Sequence, residues 1–190
     1  EIVMSLRKRK AMNKIKGISF RKDNKIIINT ARNYIEYLEK LHFPAYELFP
    51  MKTYPLHPDV KVKVNQTSLI TTSRGCPMGC KFCETTHAWG RKVRSTCAER
   101  LFKEVKYLYD KFGIDYIRFA DDLFTLKKEK VIEFCKLVIS NNLPIKFRIQ
   151  ARVDTVDEEM LELLKKAGCD LIEYGVESGS DKILKINGKN

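Results

Sequence analysis

The sequence predicts an α/β fold: a parallel sheet of about four strands with helices between them, preceded by a short hairpin and a Pro-rich connector. Three observations carry the prediction. From Val64 onward, short runs rich in β-branched and aromatic residues alternate with helical patterns, the rhythm of a parallel sheet with right-handed crossovers. Between the runs stand Thr-x-x-Glu helix starts and glycine stops. Residues able to do chemistry fall just after each strand, the end at which parallel sheets and barrels gather their sites.

The elements follow in order. Gly17-Ile18-Ser19-Phe20-Arg21 and Ile26-Ile27-Ile28 flank Asp23-Asn24, an Asx pair suited to a hairpin turn. A short helix is expected over Tyr34–Glu39. Pro44, Pro50, Pro55 and Pro58 break regular structure between His42 and Pro58, so this stretch reads as an extended connector packed on a neighbour. Ser68–Thr72 is a short apolar run suited to a buried strand, the first of the sheet, and a Cys- and Gly-bearing loop spans Ser73–Val93. Thr96-Cys97-Ala98-Glu99 reads as a capping box that opens a helix to about Phe112, with Gly113 as its stop. Tyr116–Phe119 is the second strand, Lys127–Ser140 a helix, and Ile145–Ile149 the third strand. Thr155-Val156-Asp157-Glu158 reads as a second capping box, opening a helix that Gly168 ends. Leu171–Val176 is the fourth strand. The loops after Thr72, Phe119, Ile149 and Val176 then surround one mouth. They carry the cysteine cluster, Asp121-Asp122, Arg152-Asp154 and Glu177-Ser178.

The 190 residues are 44% hydrophobic and 32% charged, which excludes wholesale disorder, a collagen-like chain and a disulfide scaffold. No run is long and apolar enough to span a membrane. Arg7-Lys8-Arg9-Lys10 is followed by no apolar stretch, so no secretory signal is read there. A soluble, cytoplasmic protein is the expectation. Lys+Arg total 36 against 24 Asp+Glu, a net charge of +12. Nucleic-acid binding is one reading of that excess. Lysines spread along solvated helix faces are the favoured one. Because the chain starts at Glu1 and is still patterned near Asn190, it reads as an internal fragment of a longer protein.

Cys76, Cys80 and Cys83 are spaced C-x3-C-x2-C, whereas Cys97, Cys135 and Cys169 stand singly and read as small buried hydrophobes. Disulfides are a poor account of the cluster in a reducing compartment. Two accounts stay open. One is a zinc site completed by His87 or Cys97; the other is an iron–sulfur cluster. Zinc motifs usually pair C-x2-C with a distant second pair, which is missing, so spacing favours iron–sulfur. Gly75 and Gly79 give the backbone freedom to curl around a bulky cluster. His87 and Trp89 lie beyond the cysteines and read as loop packing.

With Phe82 between the second and third cysteines, the loop reads C-x3-C-x-aromatic-C after a first strand. In this it resembles the radical S-adenosylmethionine (SAM) superfamily. Asp121-Asp122-Leu123-Phe124, Arg152-Val153-Asp154 and Gly175-Val176-Glu177-Ser178-Gly179-Ser180 resemble the subgroup that often carries a cobalamin-binding domain. The lead-in from Asn33-Tyr34 to Phe43-Pro44-Ala45-Tyr46-Glu47-Leu48-Phe49-Pro50 is similar too, so the resemblance runs over about residues 17–190. It implies a radical SAM barrel in which Cys76, Cys80 and Cys83 ligate three irons of a [4Fe-4S] cluster. SAM chelates the fourth iron and is cleaved on reduction to a 5′-deoxyadenosyl radical, or serves methyl transfer with cobalamin. The resemblance further implies that Phe82 lies by the adenine and that Asp121 or Asp122 meets the methionine ammonium. Arg152 would pair with the carboxylate, and Glu177 and Ser178 with the ribose hydroxyls. A reducing partner such as a flavodoxin or ferredoxin is implied, with a small-molecule substrate that the sequence does not identify.

A complete barrel of this kind has six βα units, and the chain reaches the fourth strand. The D-x-H-x-x-G element of cobalamin domains has no match. Residues 1–63 therefore read as a linker following an absent cobalamin-type domain, and 64–190 as the first four units of the core. Cobalamin is expected only in the full-length parent. A tRNA methylthiotransferase-like enzyme is an alternative that the positive charge favours and the paired aspartates oppose. A non-catalytic, zinc-binding basic module is the alternative of another class.

Overall fold

The structure, a computed structural model, describes residues 1–8, 11–54, 56 and 60–189. The end of the basic run (Arg9, Lys10), Pro55, His57, Pro58 and Asp59 of the connector, and Asn190 lie outside the described residues. Two compact units are present, Glu1–Glu36 and Tyr37–Asn190.

In the first unit, helix α1 (Ile2–Arg7) precedes strands β1 (Ser19–Lys22) and β2 (Lys25–Ile28), which pair antiparallel as expected. Asp23 (φ 46°) and Asn24 (φ 59°) are both left-handed, as a tight two-residue hairpin turn requires. The Asn29 side chain ties the hairpin to the preceding segment, donating to the carbonyls of Met12 (2.8 Å) and Ile15 (2.6 Å).

The helix expected over Tyr34–Glu39 does not form. A single 3₁₀ turn, Leu38–Lys40, stands near it, with no side-chain cap. The expected span crosses the boundary between the two compact units, so no single unit packs it along its length. The connector continues through two more 3₁₀ turns, Tyr46–Leu48 and Met51–Thr53, whose Tyr46 and Met51 are buried in the core.

The second unit is built on strand β3 (Thr67–Ile70), a ribbon of β4 (Ser73–Arg74) and β5 (Arg94–Ser95) enclosing helix α2 (Thr85–Trp89), and then α3 (Ala98–Phe112). There follow β6 (Tyr116–Phe119), α4 (Lys128–Ser140), β7 (Lys146–Ala151), α5 (Glu158–Lys166), β8 (Cys169–Tyr174) and α6 (Asp181–Ile186). Strands β3, β6, β7 and β8 form one sheet in that order, every neighbouring pair parallel. This is the expected partial barrel. The ribbon and α2 were not expected, being too short to carry a period.

Leu101, Val105 and Leu108 of α3, Val131, Phe134, Cys135 and Val138 of α4, and Met160 and Leu164 of α5 form apolar stripes at helical spacing. The stripes join Ile70, Ile117, Phe119, Phe147 and Ile149 of the sheet in one core. Phe119 lies at its centre, stacked on Phe124 at 4.6 Å and edge-on to Phe134 and Phe147.

Several local expectations shift. Gly113 closes α3 in the left-handed conformation as expected, but the N-cap of that helix is Cys97 rather than Thr96. The Thr96 amide and hydroxyl both donate to the Thr72 carbonyl, at 2.9 and 3.3 Å, prolonging the ribbon instead of capping. Likewise α5 is capped by Asp157, which accepts from the Met160 amide at 3.0 Å, while the Thr155 hydroxyl faces that of Thr125. Strand β8 ends at Tyr174, two residues early, where Gly175 and the left-handed Glu177 (φ 63°) turn the chain. Cys135 is buried as expected. Cys97 is not, since a helix N-cap faces outward. Lys130, read as a solvated helix lysine, is only 8% exposed.

Candidate functional site

The cysteine loop leaves the sheet at the carboxyl end of β3 and returns through β5. Its stem is short: Ser73 pairs with Ser95 and Arg74 with Arg94. Gly75 follows at φ 91°, and a Cβ there would stand 2.4 Å from the Lys92 carbonyl oxygen, so only glycine lets the two limbs meet. At Gly79, by contrast, a Cβ would meet nothing closer than 3.8 Å, and the expected need for glycine there is not found. The far side of the loop rests on the end of α6, where the Lys81 amide donates to the Asn187 carbonyl at 2.9 Å.

Cys76, Cys80 and Cys83 are free thiols, each half-buried, and they line one cleft of about 410 Å³. Burial pushes the Cys76 thiol above its ordinary value, and the neighbouring Cys83, Asp122 and Cys80 add to the effect. Phe82, 51% exposed, lines the same cleft. The opposite walls come from the strand ends: Asp122 after β6, Gln150 and Arg152 at the end of β7, and Tyr174 and Glu177 at the end of β8. The mouth expected from strand-end loops therefore exists, and residues from all four loops meet there.

The expected site residues divide within it. Asp121 does not line the cleft. Fully buried, it accepts from the Thr72 amide (2.9 Å) and hydroxyl (2.7 Å), from the Ser73 hydroxyl (2.7 Å), and from the Ser73 amide. Its oxygens clamp the root of the cysteine loop. Asp122 is the member of the pair that faces the cleft, accepting from the Thr85 hydroxyl at 2.9 Å. Arg152 reaches the cleft with its guanidinium forked onto Asp154 at 2.8 and 2.7 Å. That bond holds Asp154 below the usual carboxylate range and raises Arg152. Glu177 lies 3.2 Å from the Lys189 ammonium, which also donates to the Gly175 carbonyl at 2.5 Å. Ser178 stays outside the cleft, its hydroxyl accepting from the Ser180 amide at 3.1 Å.

Sequence reasoning missed Gln150, Tyr174 and Lys189. For the first two the available signal was strand position: each is a polar residue at the carboxyl end of its strand. Lys189 had no signal beyond its place near the end of the last helix. His87 and Trp89 fall on α2 outside the cleft, and the Trp89 ring lies 5.2 Å from the Arg74 guanidinium. Cys97 does not line the cleft either, so neither proposed fourth zinc ligand reaches the cysteines. Among the described residues no three His, Cys, Asp or Glu side chains gather as a single ion would require.

Fold and site together define a parallel α/β half-barrel with a three-cysteine loop at the carboxyl mouth of its sheet. Residues 70–190 match the model of the Radical SAM superfamily, and the chain belongs to that superfamily. It is 32% identical over 189 residues to an uncharacterized methyltransferase of Pyrococcus horikoshii, covering 100% of this chain and 40% of the relative. A cytidylyl-2-hydroxyethylphosphonate methyltransferase of Streptomyces wedmorensis is 32% identical over 154 residues, 78% of this chain and 28% of its own length. Among solved structures it resembles the cobalamin-dependent S-adenosylmethionine radical enzyme OxsB with aqua-cobalamin and S-adenosylmethionine bound. The TM-score is 0.75 and the identity 25%, over 100% of this chain and 28% of that one. The expected likeness to cobalamin-associated radical SAM proteins is thus borne out. The chain spans well under half the length of these relatives. No helix among the described residues is long and apolar enough to cross a membrane.

Proposed function

We propose that this chain binds a [4Fe-4S] cluster through Cys76, Cys80 and Cys83 and SAM in the adjoining cleft, for radical or methyl-transfer chemistry. The observation that carries the reading is the cleft itself: three free thiols on one wall and polar strand-end residues on the others. The donor set suits the cluster. Three free thiols from one loop can each ligate one iron and leave the fourth iron of such a cluster open. Gly75 supplies the close approach of the loop limbs that frames the thiols. When bound, cluster and SAM supply one-electron cleavage of the sulfonium, chemistry that belongs to the cofactors.

The chain's own part is binding and orientation. Phe82 offers an exposed ring face to the adenine. Asp122, not Asp121, is the acid open to an ammonium group. Arg152, forked onto Asp154 at the cleft wall, is the cation that would meet the SAM carboxylate. Glu177, fixed in a left-handed turn, is the acceptor for a ribose hydroxyl, and Gln150 and Tyr174 complete the wall. Likeness to the enzymes above supports a methyltransferase as the whole protein. Cobalamin is proposed for that protein by the same likeness, and no cobalamin-domain motif is recognised in this sequence. A flavodoxin- or ferredoxin-type donor would supply the electron.

The test is anaerobic iron–sulfide reconstitution followed by low-temperature EPR of the dithionite-reduced protein, with and without SAM. A reduced four-iron signal that changes on adding SAM and is lost in Cys80→Ala is expected. One zinc per chain with no cluster signal, from protein whose circular dichroism reports a folded sheet, would overturn the reading.

A further inference from the structure

Beneath the cysteine loop lies a buried charge that cofactor binding does not use. Lys130, on the first turn of α4, extends its ammonium to the Thr72 hydroxyl on the entering limb and to the Ser95 hydroxyl (2.9 Å) on the returning limb. Thr72 relays the contact, since its hydroxyl accepts from Lys130 and donates to Asp121 at 2.7 Å. The ammonium stands over the Phe124 ring, 5.5 Å from its centroid. Thr72, Asp121 and Lys130 are all buried.

We infer that Lys130 is a positioning residue for the cluster-binding loop, joining the loop's two limbs from below so that Cys76, Cys80 and Cys83 keep their spacing before any cluster is present. Three observations support this. The ribbon closing the loop has two residue pairs, extended only by the Thr96 bonds to the Thr72 carbonyl and by the Cys76 amide donating to the Gly90 carbonyl at 3.3 Å, a short stem for so long a loop. Lys130 donates to both limbs, bonding one residue on each. Finally, burying an ammonium is expensive, and an apolar residue of similar size is often as good or better for global stability. A lysine retained here is explained by the geometry it imposes.

The proposal rests on the cluster reading for its consequence but not for its test. In the cofactor-free full chain, Lys130→Met removes the ammonium and keeps most of the stem. Asp121 retains its bonds from Thr72 and Ser73. Amide hydrogen exchange over residues 73–95 is expected to quicken about tenfold or more, the effect of losing the charge-assisted hydrogen bonds to Thr72 and Ser95, with β6 and β7 unchanged. Ser95→Ala should quicken the same segment, and the double variant should add little to Lys130→Met alone, because the Lys130–Ser95 contact is lost in both. Unchanged loop exchange in both variants, or an equal rise across the whole sheet, would overturn the inference. Should Lys130→Met not fold, Ser95→Ala decides alone, by a rise confined to the loop or by none. A wild-type protein without a reduced-cluster signal would defeat the proposed function and leave the exchange result standing.

Discussion

Tyr46 donates its hydroxyl to a carboxylate oxygen of Glu104 at 2.7 Å, across 58 residues of sequence, and both groups are buried. Arg100 holds the other oxygen at 3.2 Å. Burial and the Glu104 carboxylate push the Tyr46 hydroxyl well above its ordinary value, so it stays a donor. Tyr46→Phe leaves one carboxylate oxygen buried and unpaired, and should cost about 1–3 kcal/mol. A lower urea midpoint with an unchanged slope is the expected reading; an unchanged midpoint would mean that the connector adds nothing to the core.

The two loop glycines should respond differently to alanine. Gly75→Ala forces a left-handed residue and a 2.4 Å contact with backbone, which can yield only if the loop limbs part. On the proposed function, iron uptake on reconstitution should fall sharply. Gly79→Ala meets ordinary contacts and should load like the wild type. Equal iron content in the two variants would contradict the loop geometry.

Neighbouring aspartates should also separate. In Asp121→Asn an amide group replaces an acceptor facing four donors, with an expected loss of roughly 1–3 kcal/mol of stability by thermal unfolding. Asp122→Asn alters an exposed contact and should shift stability by less than about 0.5 kcal/mol. On the proposed function it weakens SAM binding about tenfold by calorimetry, as befits loss of one charge-assisted bond. The reverse pattern would exchange the roles assigned to the pair.

Lys130 gives the chain a pH signature. Burial lowers its pKa from the ordinary 10.5 to about 8, helped by Lys127 and opposed by Asp121 and Cys97. Below about pH 8 it is charged in both folded and unfolded states, and the full burial penalty applies. Between about 8 and 10.5 the unfolded chain binds more protons than the folded one, so stability rises with pH in that window. Relative to Lys130→Met, the wild type should gain on the order of 3 kcal/mol between pH 7.5 and 10.5. Guanidinium unfolding at the two pH values checks it, and a constant difference would refute it.

Much of this was legible in the sequence, for identifiable reasons. The alternation of apolar runs with helical patterns located β3, β6, β7 and β8, because each buries one face against helices of matching length. Asp23-Asn24 announced the hairpin, because few other residues accept left-handed backbone. The capping boxes misled by one or two positions. Thr96 and Thr155 found tertiary partners in Thr72 and Thr125, and a hydroxyl so engaged is lost to its helix. The cysteines were legible from spacing. The division of labour between Asp121 and Asp122 was not, since successive side chains after a strand point opposite ways and only the fold decides which way is inward. Lys130 was read as solvated because one basic residue in a Lys- and Glu-rich helix looks like its neighbours.

The Thr72–Asp121 bond also imposes an order in time. Its partners are 49 residues apart, and the whole cysteine loop lies between them. During synthesis all three thiols therefore emerge before the carboxylate that roots their loop. At about 5–20 residues per second, the cysteines wait for seconds with nothing to hold them in place. Through that interval they are three unprotected thiols on an unfinished chain, open to oxidation and to stray metal. On the proposed function, loading with iron would follow closure of the sheet, and the newest copies would need their thiols kept reduced until β6 has been made.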